Sequence, residues 1–347
     1  MEKKKKGVRA LALALCAAML FPAAPLRAAA GAPAAADTGV RVRDPFVLEH
    51  NGVYYMYGTG LKKNGYGCVY SNDLTHWSDP VRVYSPQGSC DGVGDWWAPE
   101  CHYYNGKFYL FATYRSAATG KRGVAIFRAA GPTGPFRIIT DGHVTPKNHD
   151  AIDGTLYVDE TGQPWMIYVN EWTSNEDGVG DMMAAKLNKK LTKFISEPVM
   201  LFRATDGRKS AAGITDGPFL YKTKNGRLTM LWSNMNENGY CVYTAFSSNG
   251  RPDGRWRQTP GVLYEKTDRR PDGGHGMLFT APDGALTLSL HAPNTGTEEA
   301  PTTARFVPVV DIGDTLIAAE NNTLAARVFY RLYFAVIKLT ELFAAKR

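Results

Sequence analysis

The stretch "ITDGPFLYKTKNGRLTMLWS" (residues 214–233) begins oddly. Asp216 is pinned by Gly217 and Pro218 immediately before an apolar run, where a strand should start and a lone charge gains nothing from burial. The run then turns at Asn225-Gly226 and resumes as a second apolar segment, which together read as a β-hairpin.

The same plan occurs four more times. "RDPFVLEHNGVYYMYGTG" (43–60), "WAPECHYYNGKFYLFATY" (97–114), "IDGTLYVDETGQPWMIYV" (152–169) and "GHGMLFTAPDGALTLSLH" (274–291) each open on a short polar or Gly/Pro segment. An apolar strand, a Gly-bearing turn (Asn51-Gly52, Asn105-Gly106, Gly162, Asp283-Gly284) and a second apolar or aromatic strand follow. The Asn-Gly and Asp-Gly pairs are expected to supply the positive φ of two-residue hairpin turns. Behind each hairpin come two further strand-like segments, for example "GCVYSNDLTHWSDPVRVY". Five units of four strands predict an all-β fold, a five-bladed β-propeller with four antiparallel strands per blade.

Aligning the unit openings puts Asp44, Ala98, Asp153, Asp216 and His275 in one column. The first strand of a propeller blade lines the central channel, so this column predicts three carboxylates and a histidine around one pocket. Taken singly, Asp before Gly or Pro is a turn former. Turn formation does not require the same blade position each time, and crowded carboxylates repel one another, so the column points to function.

Converging carboxylates suit glycosidic hydrolysis, in which one acid protonates the leaving oxygen and a second carboxylate acts as base or nucleophile. A third acid nearby raises the pKa of the first. The competing use is a metal site, because Asp clusters bind Ca²⁺ through oxygen. His275 is a poor calcium ligand, so an ion in the channel would be held through water, as a structural Ca²⁺ rather than a required cofactor.

These openings resemble glycoside hydrolase family 43, the five-bladed propeller arabinofuranosidases, xylosidases and arabinanases. The resemblance covers about residues 40 to 318 and is carried by "RDPFV", "WAPE", "IDGTLYVD", "DGPFLYK" and "DGGHGM". It implies an inverting hydrolase of arabinose- or xylose-containing polysaccharides or oligosaccharides, with Asp44 as general base and Asp153 as the acid that tunes pKa and orientation. The family's general acid is usually a Glu in Glu-Gly-Pro, and here Asp216 occupies that place. Asp is one methylene shorter, which draws the carboxyl back by roughly 1.5 Å.

Glu171 in "VNEWTS" is therefore an alternative acid, and a non-catalytic sugar-binding propeller is an alternative function. A Ca²⁺-dependent adhesion module is a third. Trp97, Glu100, Trp172 and His275 are the candidate substrate contacts, the tryptophans because a ring stacks on a sugar face. Trp96 and Trp232 also stand near blade heads, where core packing competes with that role. Arg43 and Arg115 are candidate partners for carboxylates or hydroxyls.

Charge narrows the partners. Of the net +7, residues 1–30 contribute +5 and residues 323–347 contribute +4, which leaves the body near −2 and removes the main support for nucleic-acid binding. Residues 1–30, with Lys3 to Lys6 ahead of an apolar stretch, read as a signal peptide, so the protein is expected to be exported, periplasmic or extracellular. Leu15 immediately before Cys16 argues against a lipid-attached cysteine. Cys68, Cys90, Cys101 and Cys241 form no Cys-x-x-Cys pair. Residues 31–322 are the expected propeller. Residues 323–347 read as a basic amphipathic helix with Val328, Phe329, Leu332, Val336, Leu339 and Phe343 on its apolar side, suited to docking on the propeller ahead of self-association or a membrane surface.

Overall fold

The computed structural model describes residues 35–344, apart from 89 and 208. The expected signal peptide lies outside the described residues.

Five four-stranded meanders form the blades. Blade I comprises Arg43–His50, Val53–Thr59, Tyr66–Ser71 and Val81–Tyr84. Blade II comprises Gly92–Tyr104, Lys107–Ser116, Arg122–Ala129 and Arg137–Ile138. Blade III comprises Ala151–Val158, Pro164–Asn170, Asp181–Lys186 and Val199–Arg203, and blade IV comprises Asp216–Lys222, Leu228–Asn236, Gly239–Ser247 and Trp256–Tyr264. Blade V takes Gly274–Thr280, Leu286–Ala292 and Thr303–Asp311 from the end of the chain and its fourth strand, Ala36–Asp37, from the beginning. Ala36 pairs with Phe306 and Asp37 with Arg305, so the ring is closed by antiparallel hydrogen bonds between its two ends. A further short strand, Leu316–Ala318, pairs with Thr303–Asp311.

First strands of neighbouring blades touch all the way round, which makes them the lining of the central channel. Between successive blades lie five apolar clusters. One holds Tyr57, Cys68, Leu110 and Phe127 between blades I and II, and another holds Ile167, Met182, Met230 and Trp232 between blades III and IV. Strands buried on both faces explain why the runs are continuously apolar rather than alternating.

The hairpin turns are of two kinds. Asn51-Gly52 and Asn105-Gly106 have positive φ at both residues, as a two-residue turn requires. At 225–226 and 283–284 only the glycine does, and the ladder closes on Lys222↔Leu228 and Thr280↔Leu286, leaving five-residue loops. The expectation of two-residue turns therefore fails in those blades, because a longer loop needs only one left-handed residue. The four remaining cysteines are free thiols.

Residues 324–344 form a helix, Leu324–Ala344, within a separate unit of the chain. Leu324, Val328, Phe329, Val336 and Leu342 are exposed on it. Among the described residues no helix is long and apolar enough to cross a membrane.

Candidate active site

Each first strand carries a bulge near its start, and the residue in that bulge has left-handed backbone: Asp44 (φ 54), Ala98 (φ 41), Asp153 (φ 56), Gly217 (φ 50) and His275 (φ 54). Register shifts fall at the same place in every blade, after Arg43, Trp97, Ile152, Asp216 and Gly274. The structural column is thus one residue different from the expected one in blade IV. Gly217 is the bulge residue, and Asp216 is equivalent to Arg43, Trp97, Ile152 and Gly274. The reason is steric: a Cβ at Gly217 would lie 2.8 Å from the His275 ring, so this blade carries its acid on the preceding residue. Left-handed backbone at four non-glycine residues is costly and marks a site that the surrounding structure enforces.

Side chains of the second strands hold these bulges. The Ala98 N–H donates to Thr59 Oγ1 (2.8 Å), the Asp153 N–H to Thr113 Oγ1 (3.2 Å), the His275 N–H to Ser233 Oγ (2.8 Å) and the Asp44 N–H to His291 Nδ1 (3.1 Å). In each case the acceptor belongs to the preceding blade around the ring. The Thr59 hydroxyl also donates to Asp44 Oδ2 (2.7 Å), so the blade II bulge orients the blade I carboxylate.

A cavity of about 440 Å³ opens over these residues. Asp44, Asp153, Asp216 and His275 line it, with Trp97, Trp172, Glu171, Tyr240, Arg43 and Asn294. His275 Nδ1 lies 3.2 Å from Asp44 Oδ1 and 3.7 Å from Asp153 Oδ2, and the Tyr240 hydroxyl donates to Asp216 Oδ2 at 2.8 Å.

The three aspartates titrate apart. Burial opposes ionisation of Asp44, but His275, the Arg43 guanidinium and the Thr59 hydroxyl outweigh it and hold its carboxyl below the usual value. Burial and the Asp44 charge push Asp153 well above that value. Burial, then the Asp153 charge, raise Asp216 to about 8 against the smaller opposing pull of His275 and Tyr240. Ionised Asp44 and protonated Asp216 therefore share a cavity near neutral pH, the division of labour that acid–base chemistry requires. His291 is fully buried and held at about 3, so it is neutral, and accepting the Asp44 N–H on Nδ1 puts its proton on Nε2.

Glu171 also lines the cavity, but its Oε2 lies 2.6 Å from Arg122 Nε. Burial raises its pKa while the guanidinium opposes the rise. Arg122 also lies 3.3 Å from Asp95 Oδ2, and its guanidinium carbon sits 5.2 Å from the centre of the Trp97 ring. Glu100 is buried along the channel, 3.1 Å from His102 Nε2, and does not line the cavity. Trp96 packs on Tyr114 and Tyr66, and Trp232 is fully buried with its indole N–H on Gln258, so both are core. Arg43 donates to the Asn294 carbonyl (2.5 Å), and Arg115 pairs with Asp95 (2.5 Å).

Arg122, Tyr240, His291, Thr59 and Asn294 had no signal of their own in the sequence. They stand on second and third strands or on connecting loops, whereas the repeat pattern singles out strand openings.

The donors near the axis do not form a direct calcium shell, which takes six to eight oxygens. The His275 nitrogen nearest the acids is engaged with Asp44 and Asp153, and among the described residues no group of three or more His, Cys, Asp or Glu side chains is disposed to hold an ion.

The profile of glycosyl hydrolases family 43 matches residues 39–309. The chain belongs to glycosyl hydrolase family 43. This family 43 chain is 27% identical over 264 residues, 69% of its length and 71% of the relative's, to the extracellular exo-α-(1→5)-L-arabinofuranosidase ArbA of Cellvibrio japonicus. It is 26% identical over 235 residues, 63% of its length and 68% of the relative's, to the extracellular endo-α-(1→5)-L-arabinanase 1 of Bacillus subtilis. The crystal structure of an endo-arabinase from Bacteroides thetaiotaomicron superposes with a TM-score of 0.71 at 32% identity, covering 79% of this family 43 chain and 95% of that one. Membership supports a glycoside hydrolase over a non-catalytic binding propeller.

Proposed function

We propose that the chain is an exported, inverting hydrolase of α-L-arabinofuranosyl linkages in arabinan-type polysaccharides or oligosaccharides, with xylosides as the secondary substrate class. The observation that carries this is the opposite displacement of Asp44 and Asp216 within one cavity. The names of the relatives support the sugar, and the two that are called extracellular support export of a chain whose residues 1–30 read as a signal peptide.

In the mechanism Asp44 accepts a proton from water as the water oxygen bonds to the anomeric carbon. Asp216 gives its proton to the leaving glycosidic oxygen, so the exocyclic bond breaks as the new one forms and the configuration inverts. Asp153 keeps Asp216 protonated, and His275 fixes the spacing of Asp44 and Asp153. Trp97 and Trp172 supply faces for the sugar, and Glu100 acts from behind the cavity through its charge on Asp153.

Asp216 is preferred over Glu171 as the acid because Glu171 is committed to Arg122, whereas Asp216 faces a phenol and a raised carboxyl. The test is hydrolysis of linear α-(1→5)-arabino-oligosaccharides followed by NMR of the first-formed anomer, with Asp44→Asn as control. Inverted product that disappears in the control supports the reading, and retained configuration, or activity that survives Asp44→Asn, overturns it.

A further inference from the structure

Tyr240 is the second residue of the third strand of blade IV, just after the turn at 237–238, and its side chain is clamped before it reaches the acid. Its N–H donates to Asp272 Oδ2 (3.2 Å), and its carbonyl accepts the Gly273 N–H (3.0 Å). Its ring lies nearly parallel to that of His291, with centroids 5.6 Å apart at 27°. On another side Gly274 makes room for it, since a Cβ there would come within 2.4 Å of the ring. The phenol is almost wholly buried, and burial followed by the Asp216 charge holds its own pKa well above the usual value, so it remains a donor throughout the working pH range. Its single O–H is spent on Asp216 Oδ2.

We infer that Tyr240 is a positioning residue for the general acid: by holding Asp216 Oδ2 it makes Oδ1 the oxygen that carries and delivers the proton. The inference rests on Asp216 being the acid, as proposed above. An aspartic acid has one torsion fewer than the usual Glu and a shorter reach, so fixing which oxygen bears the proton matters more here. As the O–H bond at Oδ1 breaks, the proton passes to the glycosidic oxygen, whose bond to the anomeric carbon breaks with the electron pair staying on that oxygen. Asp216 is left as a carboxylate, and the phenol hydrogen bond strengthens as that charge develops. The other charged or titratable groups facing Asp216 are Asp153, Asp44 and His275, all from first strands of the ring.

The test is Tyr240→Phe, which keeps the ring and its packing, assayed on arabino-oligosaccharides and on a dinitrophenyl arabinofuranoside across pH. Loss of a donor to the ionised form should move the basic limb of kcat/KM upward by about one unit. Loosening that merely admits water would move it downward. On the oligosaccharide kcat should fall about 10- to 100-fold with KM little changed, whereas the dinitrophenyl substrate, which needs little proton donation, should lose less than about threefold. A limb that stays or falls, or an equal loss on both substrates, overturns the inference. Should Tyr240→Phe not fold, site-specific 3-fluorotyrosine at 240, a stronger donor, decides alone: a limb moved downward supports the inference and an unmoved limb overturns it. Asp216→Asn separates the two levels. If it retains oligosaccharide hydrolysis, the assignment of the acid fails and Tyr240 with it. If it is inactive while Tyr240→Phe leaves the limb in place, only the positioning role falls.

Discussion

The Gly217 N–H donates to Asp153 Oδ2 at 3.1 Å, the one bulge of the five whose amide is accepted by a carboxylate of the cavity. The cause lies on the second strand of blade III. Thr59, Thr113, Ser233 and His291 offer an acceptor at equivalent positions, each paired with the residue before its bulge, but Val169, paired with Ile152, offers none. The amide that would have met a hydroxyl there turns to Asp153 instead. The backbone after the acid is thereby tied to the group that raises the acid's pKa.

Val169→Thr should break this tie. Its hydroxyl would compete for the Gly217 N–H, and because that hydrogen bond holds the Asp153 pKa down, losing it raises Asp153 further. A kcat lowered by about three- to tenfold is expected, together with a stability cost of about 1 kcal/mol for the buried hydroxyl. Steady-state kinetics alongside thermal unfolding checks both. Unchanged kcat would show that the tie is without consequence for the acid.

The pH dependence follows from the displaced aspartates. As the proposed general acid Asp216 acts only when protonated, so kcat/KM should fall as pH rises through about 8. As the proposed base Asp44 must be ionised, and its lowered pKa puts the acid limb below the ordinary aspartate range. Asp153→Asn removes a charge that raises Asp216, so the basic limb should move to lower pH, opposite in sign to Tyr240→Phe. A basic limb unmoved in Asp153→Asn would remove Asp153 from its tuning role.

Stability and activity should be opposed at Asp216. Its folded pKa lies above its unfolded one, so between about pH 4 and pH 8 the folded chain holds a proton that the unfolded chain has released. This contribution is full below the unfolded pKa and is lost as pH rises through about 8. Asp216→Asn should therefore raise Tm by about 3–5 °C at pH 8–9 and by less at pH 4. An equal Tm gain at both pH values would mean that the acid is not strained by its surroundings.

Much of the architecture was legible because a propeller repeats its own hairpin, and Asp44, Asp153 and His275 each follow a recognisable opening. The shift at Asp216 was not, because a sequence alignment counts residues whereas the His275 ring leaves no room for a Cβ at the bulge position itself, Gly217. Glu100 misled for a related reason: two residues beyond the column it points down the channel to His102, since the bulge after Trp97 interrupts the simple alternation of a strand. Arg122 was invisible because its importance comes from Asp95, Glu171 and Trp97, which lie far from it in sequence.

Arg122 gives the last discrimination between the two candidate acids. Glu171→Gln leaves the guanidinium with Asp95 and the Asp150 carboxylate, 3.6 Å away, so the wall of the cavity under Trp97 should survive. Less than a tenfold loss of kcat and an unmoved basic limb are expected, against a loss of about 10²–10⁴-fold on oligosaccharides for Asp216→Asn. Arg122→Met is the harsher change, because it leaves the buried Glu171 carboxylate without its cation, while Asp95 keeps Arg115 and Asp150 keeps Lys121. It should destabilise the fold by about 3 kcal/mol and raise KM through the displaced Trp97. Parallel pH–rate profiles of Glu171→Gln and Asp216→Asn decide the matter: a basic limb that vanishes with Glu171 and persists without Asp216 would transfer the proton to the other carboxyl, and Arg122 would then be the residue that holds the acid.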